Sequence, residues 1–190
     1  MPTEESDNPI HIEIKGLDEF AERLKDFPNG MRRALPDAIR RALITGRQAA
    51  SDAVRTRYMA KAGWVKEAIG NPTVMGMTGF MRARSTKAPL SMFPHTDLWP
   101  GGVSVREMQR ADRMRIKHGF TPAGIDKVFV RAGGKGSARY PLREMVGLSV
   151  PEMLEDQRDV HPAVEKAVED MLYKRLNDNI ERIVSGRWKI

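Results

Sequence analysis

The chain has 190 residues, 41% of them hydrophobic and none of them cysteine, so it can bury a core without disulfides. The lack of cysteine excludes thiolate zinc sites and a cysteine nucleophile, and it fits a reducing compartment. No run approaches the roughly 18 consecutive apolar residues of a membrane span, and the acidic start does not resemble a signal peptide. We therefore expect no membrane association, and a location in the cytoplasm or in a particle assembled there.

The net charge of +7 is distributed unevenly. Residues 1–30 carry three Lys or Arg against eight Asp or Glu, residues 31–140 carry 21 against seven, and residues 141–190 carry eight against ten. The net charges of these segments are −5, +14 and −2. A basic middle between acidic ends predicts either attraction of nucleic acid or head-to-tail contact between copies of the chain. The charge pattern leaves both alternatives open.

The beginning of the chain predicts a flexible segment, a strand and a helix. Residues 1–9 are polar, and residues 10–190 are expected to form one domain. Ile10, Ile12 and Ile14 alternate with polar residues, which indicates a short half-buried strand. A helix is predicted from Leu17 to Leu24, with a break at residues 28–30.

A long helix is predicted from about Met31 or Leu35 to Tyr58. Pro36 is tolerated if it lies in the first turn, and it predicts a kink if the helix begins earlier. The apolar stripe of this helix consists mostly of small residues, so another backbone can approach it closely. The opposite face is rich in arginine. A short helix, Trp64 to Ile69, completes the region 10–70.

Residues 73–150 change to short β-prone runs separated by Gly, Pro and Asp, which predicts an antiparallel sheet. Its loops are expected to be long and irregular, notably 94–102 and 132–138, and loops of this kind often form contacts. In residues 157–186 the helical period returns, most clearly from Val160 to Val184, with Gly186 as a stop signal.

The two long apolar stripes are expected to pack together in one core. The predicted fold class is therefore α+β: a long N-terminal helix and a C-terminal amphipathic helix packed on an antiparallel sheet.

No catalytic, cofactor-binding or metal-binding residue is predicted. The four histidines are scattered, and none lies in an HExxH motif. The loop Gly133–Ser137 lacks the GxxxxGK[ST] spacing of a phosphate-binding loop. An enzyme is accordingly not expected.

Basic residues in the predicted sheet region form a candidate interaction surface. The candidate residues are Arg106, Arg110, Arg113, Arg115, Lys117, Trp99, Lys135 and Arg139. Interleaved aromatic residues and a helix-turn-helix spacing are missing, so contact with a passing DNA duplex is expected to be non-specific and sensitive to salt.

Three stretches together resemble the minor tail protein Z family of long-tailed bacteriophages and prophages, also called tail completion proteins. The first is Ile12–Leu17 with the helices after it. The second consists of Ala88–Phe93, Gly102–Arg106, Lys117–Phe120 and Val128–Arg131. The third is Arg139–Leu142 and Gly147–Leu154, followed by the C-terminal helix. Here Leu148 replaces the first proline of the Gly-Pro-Ser-Val-Pro pattern that the family usually has.

This resemblance implies a structural protein of the virion neck that helps to finish the tail and join it to the head. It implies a homo-oligomeric ring, with the tail terminator, the tail tube or head connector proteins as neighbours. The alternative function, taken from the charge pattern alone, is a non-specific DNA-binding protein that uses the basic middle region.

Overall fold

A computed structural model describes residues 17–27, 29–98, 101–133 and 140–188. The predicted strand at residues 10–14 lies outside them. The described helices are α1 (Leu17–Arg23), α2 (Gly30–Arg57), α3 (Ala62–Ala68), α4 (Val150–Leu154) and α5 (Val160–Val184). Short antiparallel sheets lie between α3 and α4. The predicted α+β class, with a long helix toward each end, is confirmed.

Helix α2 begins at Gly30, one residue before the earlier of the two predicted starts. The preceding residue, Asn29, has a φ of 66°, a left-handed conformation that asparagine tolerates better than most residues. Pro36 therefore lies beyond the first turn. Because proline has no backbone N–H, the carbonyl group of Arg32 lacks its usual donor in the helix.

Helices α2 and α5 pack against each other in antiparallel orientation and form the centre of the core. At one end the buried side chain of Asn179 donates a 3.0 Å hydrogen bond to the carbonyl oxygen of Ala34. At the other end Arg57 contacts Asp156, which precedes α5. The pairing predicted from the two apolar stripes is confirmed.

The close approach of the helices depends on Gly46. A Cβ atom at Gly46 would overlap the Cγ2 atom of Val168 in α5. The small residues of the α2 stripe thus allow the close approach of another backbone, as the sequence predicted.

We expect Gly46→Ala to lower the free energy of unfolding by up to about 2 kcal/mol. Overpacking costs about 1–3 kcal/mol, which outweighs the gain of about 1 kcal/mol when a helical glycine becomes alanine. The matched control is Gly63→Ala in α3, where a Cβ meets no atom within 4 Å, and it should be neutral or stabilising. Urea denaturation of both variants measures the difference, and equal stability changes would contradict the close contact.

Among the described residues, the predicted single sheet is instead divided into four small antiparallel sheets. Three of them are pairs of strands: β1 (Thr73–Met75) with β2 (Thr78–Phe80), β3 (Lys87–Pro89) with β9 (Val146–Ser149), and β7 (Phe129–Arg131) with β8 (Leu142–Glu144). The fourth has three strands, with β5 (Gly102–Val105) in the centre between β4 (His95–Leu98) and β6 (Met114–Ile116). Proline limits the length of at least one strand, since Pro89 cannot donate a ladder hydrogen bond and the β3–β9 register shifts before it.

Two further elements differ from the sequence prediction. The region 94–102 was expected to be an irregular loop, but it contains β4. This strand is a half-buried to exposed edge strand with one apolar residue, so it lacks the alternation that signals a strand. The short helix α4 was not predicted, although Glu152 accepts hydrogen bonds from the backbone N–H and the hydroxyl group of Ser149 in a capping box.

Candidate interaction surface

The sheet β4–β5–β6 brings several predicted basic residues together. Ile116 of β6 is buried, so the alternation of a strand directs Arg115 to the opposite face. Arg115 lies directly across from Ser104 of β5, and Ser104 lies across from Thr96 of β4. A row of two hydroxyl groups thus runs across the outer face of the sheet beside Arg115.

Hydrogen bonds hold two arginines on this outer face. The Nε atom of Arg113 donates to the Ser104 hydroxyl group at 3.0 Å, and its Nη2 atom donates to the Thr96 hydroxyl group at 3.3 Å. Arg115 donates to the carbonyl oxygen of Gly101 from Nε at 3.3 Å and from Nη2 at 3.2 Å. All of these acceptors are neutral, so they orient the guanidinium groups without cancelling their charge.

Three further basic residues of the candidate interaction surface lie at the ends of these strands or between them. Arg106 directly follows β5, and its Nη2 atom donates a 2.6 Å hydrogen bond to the carbonyl oxygen of Gln109. Arg110 lies in the connection between β5 and β6, and Lys117 lies in the turn after β6; both are exposed.

We call these five residues, Arg106, Arg110, Arg113, Arg115 and Lys117, the basic sheet face. Within the part of the chain that the structure describes, none of the five forms an ion pair with a carboxylate. Their positive charge therefore remains available to an external acidic group.

Backbone hydrogen bonds fasten this sheet to the end of α2. The N–H of Met59 donates to the carbonyl oxygen of Glu107 at 2.8 Å, and the N–H of Gln109 donates to that of Arg57 at 3.0 Å. Burial raises the pKa of the Glu107 carboxyl group. These backbone hydrogen bonds thus fix the basic sheet face to the helical core, so that it does not lie on a free loop.

A partly buried polar cluster lies at the same end of α2. Asp156 accepts hydrogen bonds from the Tyr58 hydroxyl group at 3.1 Å and from Arg57 Nε at 3.3 Å. Burial acts to raise the pKa of Asp156. The backbone N–H groups of Arg158 and Asp159 and the side chains of Tyr58 and Arg57 donate hydrogen bonds to its carboxylate, and these bonds lower the pKa overall. Burial and the bond to Asp156 raise the pKa of Tyr58 to about 12.

We expect Asp156→Asn to lower the free energy of unfolding at pH 7 by about 1–3 kcal/mol, because charge-assisted hydrogen bonds are lost. The folded pKa of Asp156 is below its unfolded value of about 3.9, so its contribution is present above that value and is lost as the pH falls through the folded pKa. The difference between wild type and variant should therefore shrink below about pH 4.

The pKa of Tyr58 is raised in the folded protein. Its contribution to the free energy of unfolding is therefore fully present below about pH 10 and is lost as the pH rises through about 12. Thermal unfolding across this range measures both effects. Asp159→Asn is the matched control, because Asp159 pairs with the same Arg57 but is more than half exposed, and it should change stability by less than about 1 kcal/mol. A difference for Asp156→Asn that does not depend on pH would contradict the role of its charge.

Three predicted surface residues, Trp99, Lys135 and Arg139, lie outside the described residues. Sequence reasoning did not identify Ser104 and Thr96 as the acceptors that position Arg113. A signal for Ser104 exists, because a polar residue between the buried Val103 and Val105 indicates the outer face of a strand.

In the described part of the chain, no group of three or more His, Asp or Glu residues is arranged to hold a metal ion. His95 is instead hydrogen-bonded through Nδ1 to the carbonyl oxygen of Phe93 at 3.0 Å, and Asp97 accepts a hydrogen bond from Thr121 at 3.1 Å.

None of the described helices has the length and apolar character needed to cross a membrane. Comparison with protein-family models, curated proteins and solved structures gives no match.

Proposed function

We propose that this protein is a structural component of a long-tailed phage, of the tail completion type, that forms a homo-oligomeric ring in the neck. In this function it finishes the tail and contacts a tail terminator, tail tube or head connector protein. The observation that carries the proposal beyond the sequence resemblance is the basic sheet face, where oriented arginines keep their charge on a sheet fixed to the core.

Neutral acceptors make this face suitable for an acidic protein surface. The guanidinium groups of Arg113 and Arg115 are held by hydroxyl and carbonyl oxygens, so less side-chain entropy is lost when a partner binds. Complementary charges contribute mainly to the orientation of partners and to the rate of association.

The distribution of charge along the chain supports contact between copies. Glu19, Glu22 and Asp26 are exposed in and just after α1, near the start of α2. Lys25 forms an ion pair with Glu22, and Arg23, Arg32 and Arg33 are also exposed there, so the carboxylates at this end are single acceptors rather than a strongly acidic patch. The basic sheet face is fastened beyond the other end of α2, which spans about 42 Å at 1.5 Å per residue. Contacts between different surfaces of identical subunits close into a ring when the rotation permits.

The basic sheet face also favours a second candidate function, non-specific binding of duplex DNA. Arginine and lysine side chains contact phosphate groups without reading the base sequence. In a neck ring this affinity would oppose the passage of DNA, so we expect most of the basic residues to face acidic protein surfaces.

A salt titration separates the two functions. We expect the purified protein to bind a fluorescent DNA duplex at physiological salt no tighter than about 10⁻⁶ M, without sequence preference and with affinity that falls steeply as salt rises. The control is a duplex of scrambled sequence and the same length. A nanomolar, sequence-selective complex at physiological salt would contradict the tail function in favour of a DNA-binding regulator.

A further inference from the structure

The outward face of α2 carries a second basic surface, separate from the basic sheet face. Arg33, Arg40 and Arg47 follow one another at intervals of seven residues, close to two helical turns, so they lie nearly on one line along the helix. At 1.5 Å per residue this line is about 21 Å long. Arg41 lies beside it, and Arg33, Arg40 and Arg41 are exposed. We call these four arginines the α2 arginine stripe.

Contacts within the protein leave positive charge available on this stripe. Arg47 donates from Nε to the carbonyl oxygen of Ile69 and from Nη2 to that of Lys66, each at 3.0 Å. Both acceptors are neutral, so they hold the guanidinium group in place without cancelling its charge. Among the described residues, Arg40 and Arg41 form no ion pair with a carboxylate.

The one acidic residue between positions 32 and 47 is Asp37. It precedes Arg40 by three residues and Arg41 by four, a spacing that permits ion pairs on a helix. Its carboxylate instead accepts a 3.1 Å hydrogen bond from Asn179 and lies 4.0 Å from Arg175, both of α5. The packing of α5 against α2 therefore withdraws the local carboxylate and leaves a surface of a single sign.

Helix α5 carries charges of both signs, as an ordinary solvated helix does. Along Val160–Val184 four basic residues are interspersed with five acidic ones. Arg175 and Asp178 of this helix lie 3.9 Å apart as an ion pair. Mixed charge of this kind is typical of a face that contacts only water. The α2 arginine stripe differs from this pattern within the same molecule, which indicates an external anionic partner.

The stripe lacks the apolar residues that a protein partner needs. Protein interfaces are anchored by apolar and aromatic side chains near their centre. Helix α2 contains no aromatic residue, and Ile44 is its only large hydrophobic side chain with substantial exposure. On the basic sheet face, by contrast, the exposed Met114 lies between Arg113 and Arg115 along the chain. The two basic surfaces therefore suit different partners.

A nucleic acid duplex matches the α2 arginine stripe. Duplex DNA carries one negative charge per roughly 1.7 Å of its axis, so a straight row of guanidinium groups can contact it without an apolar anchor. Arginine contacts to phosphate groups do not read the base sequence. The aromatic side chains on which unpaired bases stack are missing from α2, which favours a duplex over a single strand.

We propose that the α2 arginine stripe is the surface through which this protein contacts the phosphate backbone of duplex DNA. Four arginines limit the contact, so the affinity of one chain is weak. DNA contact is thereby assigned to α2, and protein contact to the basic sheet face. The inference does not depend on the proposed ring, because it concerns a different surface and a different partner.

Two variants with the same loss of charge test this assignment. Arg40→Gln with Arg41→Gln alters the stripe, and Arg113→Gln with Arg115→Gln alters the basic sheet face. Fluorescence anisotropy with a labelled duplex measures the affinity of each variant at several salt concentrations. The slope of log affinity against log salt falls in magnitude by about 0.9 for each phosphate contact that is lost.

We expect the slope of the α2 variant to be smaller than that of the wild type by about 1.8, since two contacts are lost, and the slope of the sheet variant to be unchanged. Circular dichroism checks that both variants remain folded. Equal reductions in the two variants, a larger reduction in the sheet variant, or no binding of the duplex by the wild type at low salt would overturn the proposal. Tighter binding of the single strand than of the duplex would also overturn it.

Native mass spectrometry without DNA gives an independent readout. The α2 variant should have the same oligomeric state as the wild-type protein. A changed oligomeric state would overturn the proposal, because the stripe would then be an interface between proteins. Loss of assembly in the sheet variant alone would leave this inference intact, so failure of the inference and failure of the proposed function are distinguishable.

Discussion

Leu172→Ala is expected to lower the free energy of unfolding by about 2–5 kcal/mol, the range for truncation of a fully buried leucine. Leu172 lies on the face of α5 that packs toward α2, and 1% of its surface is exposed. Removing its side chain leaves a void in the helical centre of the fold. Chemical denaturation, monitored by the helical circular dichroism signal, measures the change.

Val184→Ala is the matched control for this prediction. Val184 is the last residue of the same helix, and 55% of its surface is exposed. Its truncation should change stability by no more than about 0.5 kcal/mol. If both variants lost the same small amount, the α2–α5 contact would not be the main source of stability.

The combined variant Arg113→Glu, Arg115→Glu and Lys117→Glu is expected to abolish the proposed self-assembly in solution while leaving the fold intact. It reverses the charge of the basic sheet face, so attraction to an acidic surface becomes repulsion, and like charges in contact cost several kcal/mol. These three side chains are exposed, so their replacement removes the hydrogen bonds of Arg113 and Arg115 on the outer face of the sheet but no apolar core contact. Native mass spectrometry and light scattering measure the oligomeric state.

The matched control is Arg32→Glu, Arg40→Glu and Arg41→Glu, which makes the same change of charge at three exposed positions on α2. This control should assemble like the wild-type protein. Equal loss of assembly in the two variants would show that total charge, rather than the basic sheet face, controls association.

The sequence predicted the helical half of the fold well because helical periodicity is a local signal. The α5 stripe predicted Val160–Val184, which is the observed helix, and the small residues around Gly46 predicted the close approach of another backbone. The start of α2 was less certain, because Pro36 is compatible with either beginning of the helix.

The sheet region was predicted less well because its strands are only three or four residues long. Strand β4 carries a single apolar residue, Leu98, and its partner β5 is buried on both faces. Neither therefore shows a clear alternation, and the division into four sheets depends on pairings between distant residues such as Lys87 and Ser149.

The basic cluster was predicted from composition, but its arrangement was not. That Arg113 and Arg115 are hydrogen-bonded to neutral oxygens follows from the register of β4, β5 and β6, which local sequence does not determine.

Deletion of the gene, followed by electron microscopy of any phage particles that the source strain produces, tests the proposed function most directly. Unjoined heads and tails should accumulate. Complementation with the wild-type protein or the α2 control variant should restore joined particles, whereas the reversed basic sheet face should not. Complete, infectious particles made without the protein would contradict its assignment as a tail completion protein.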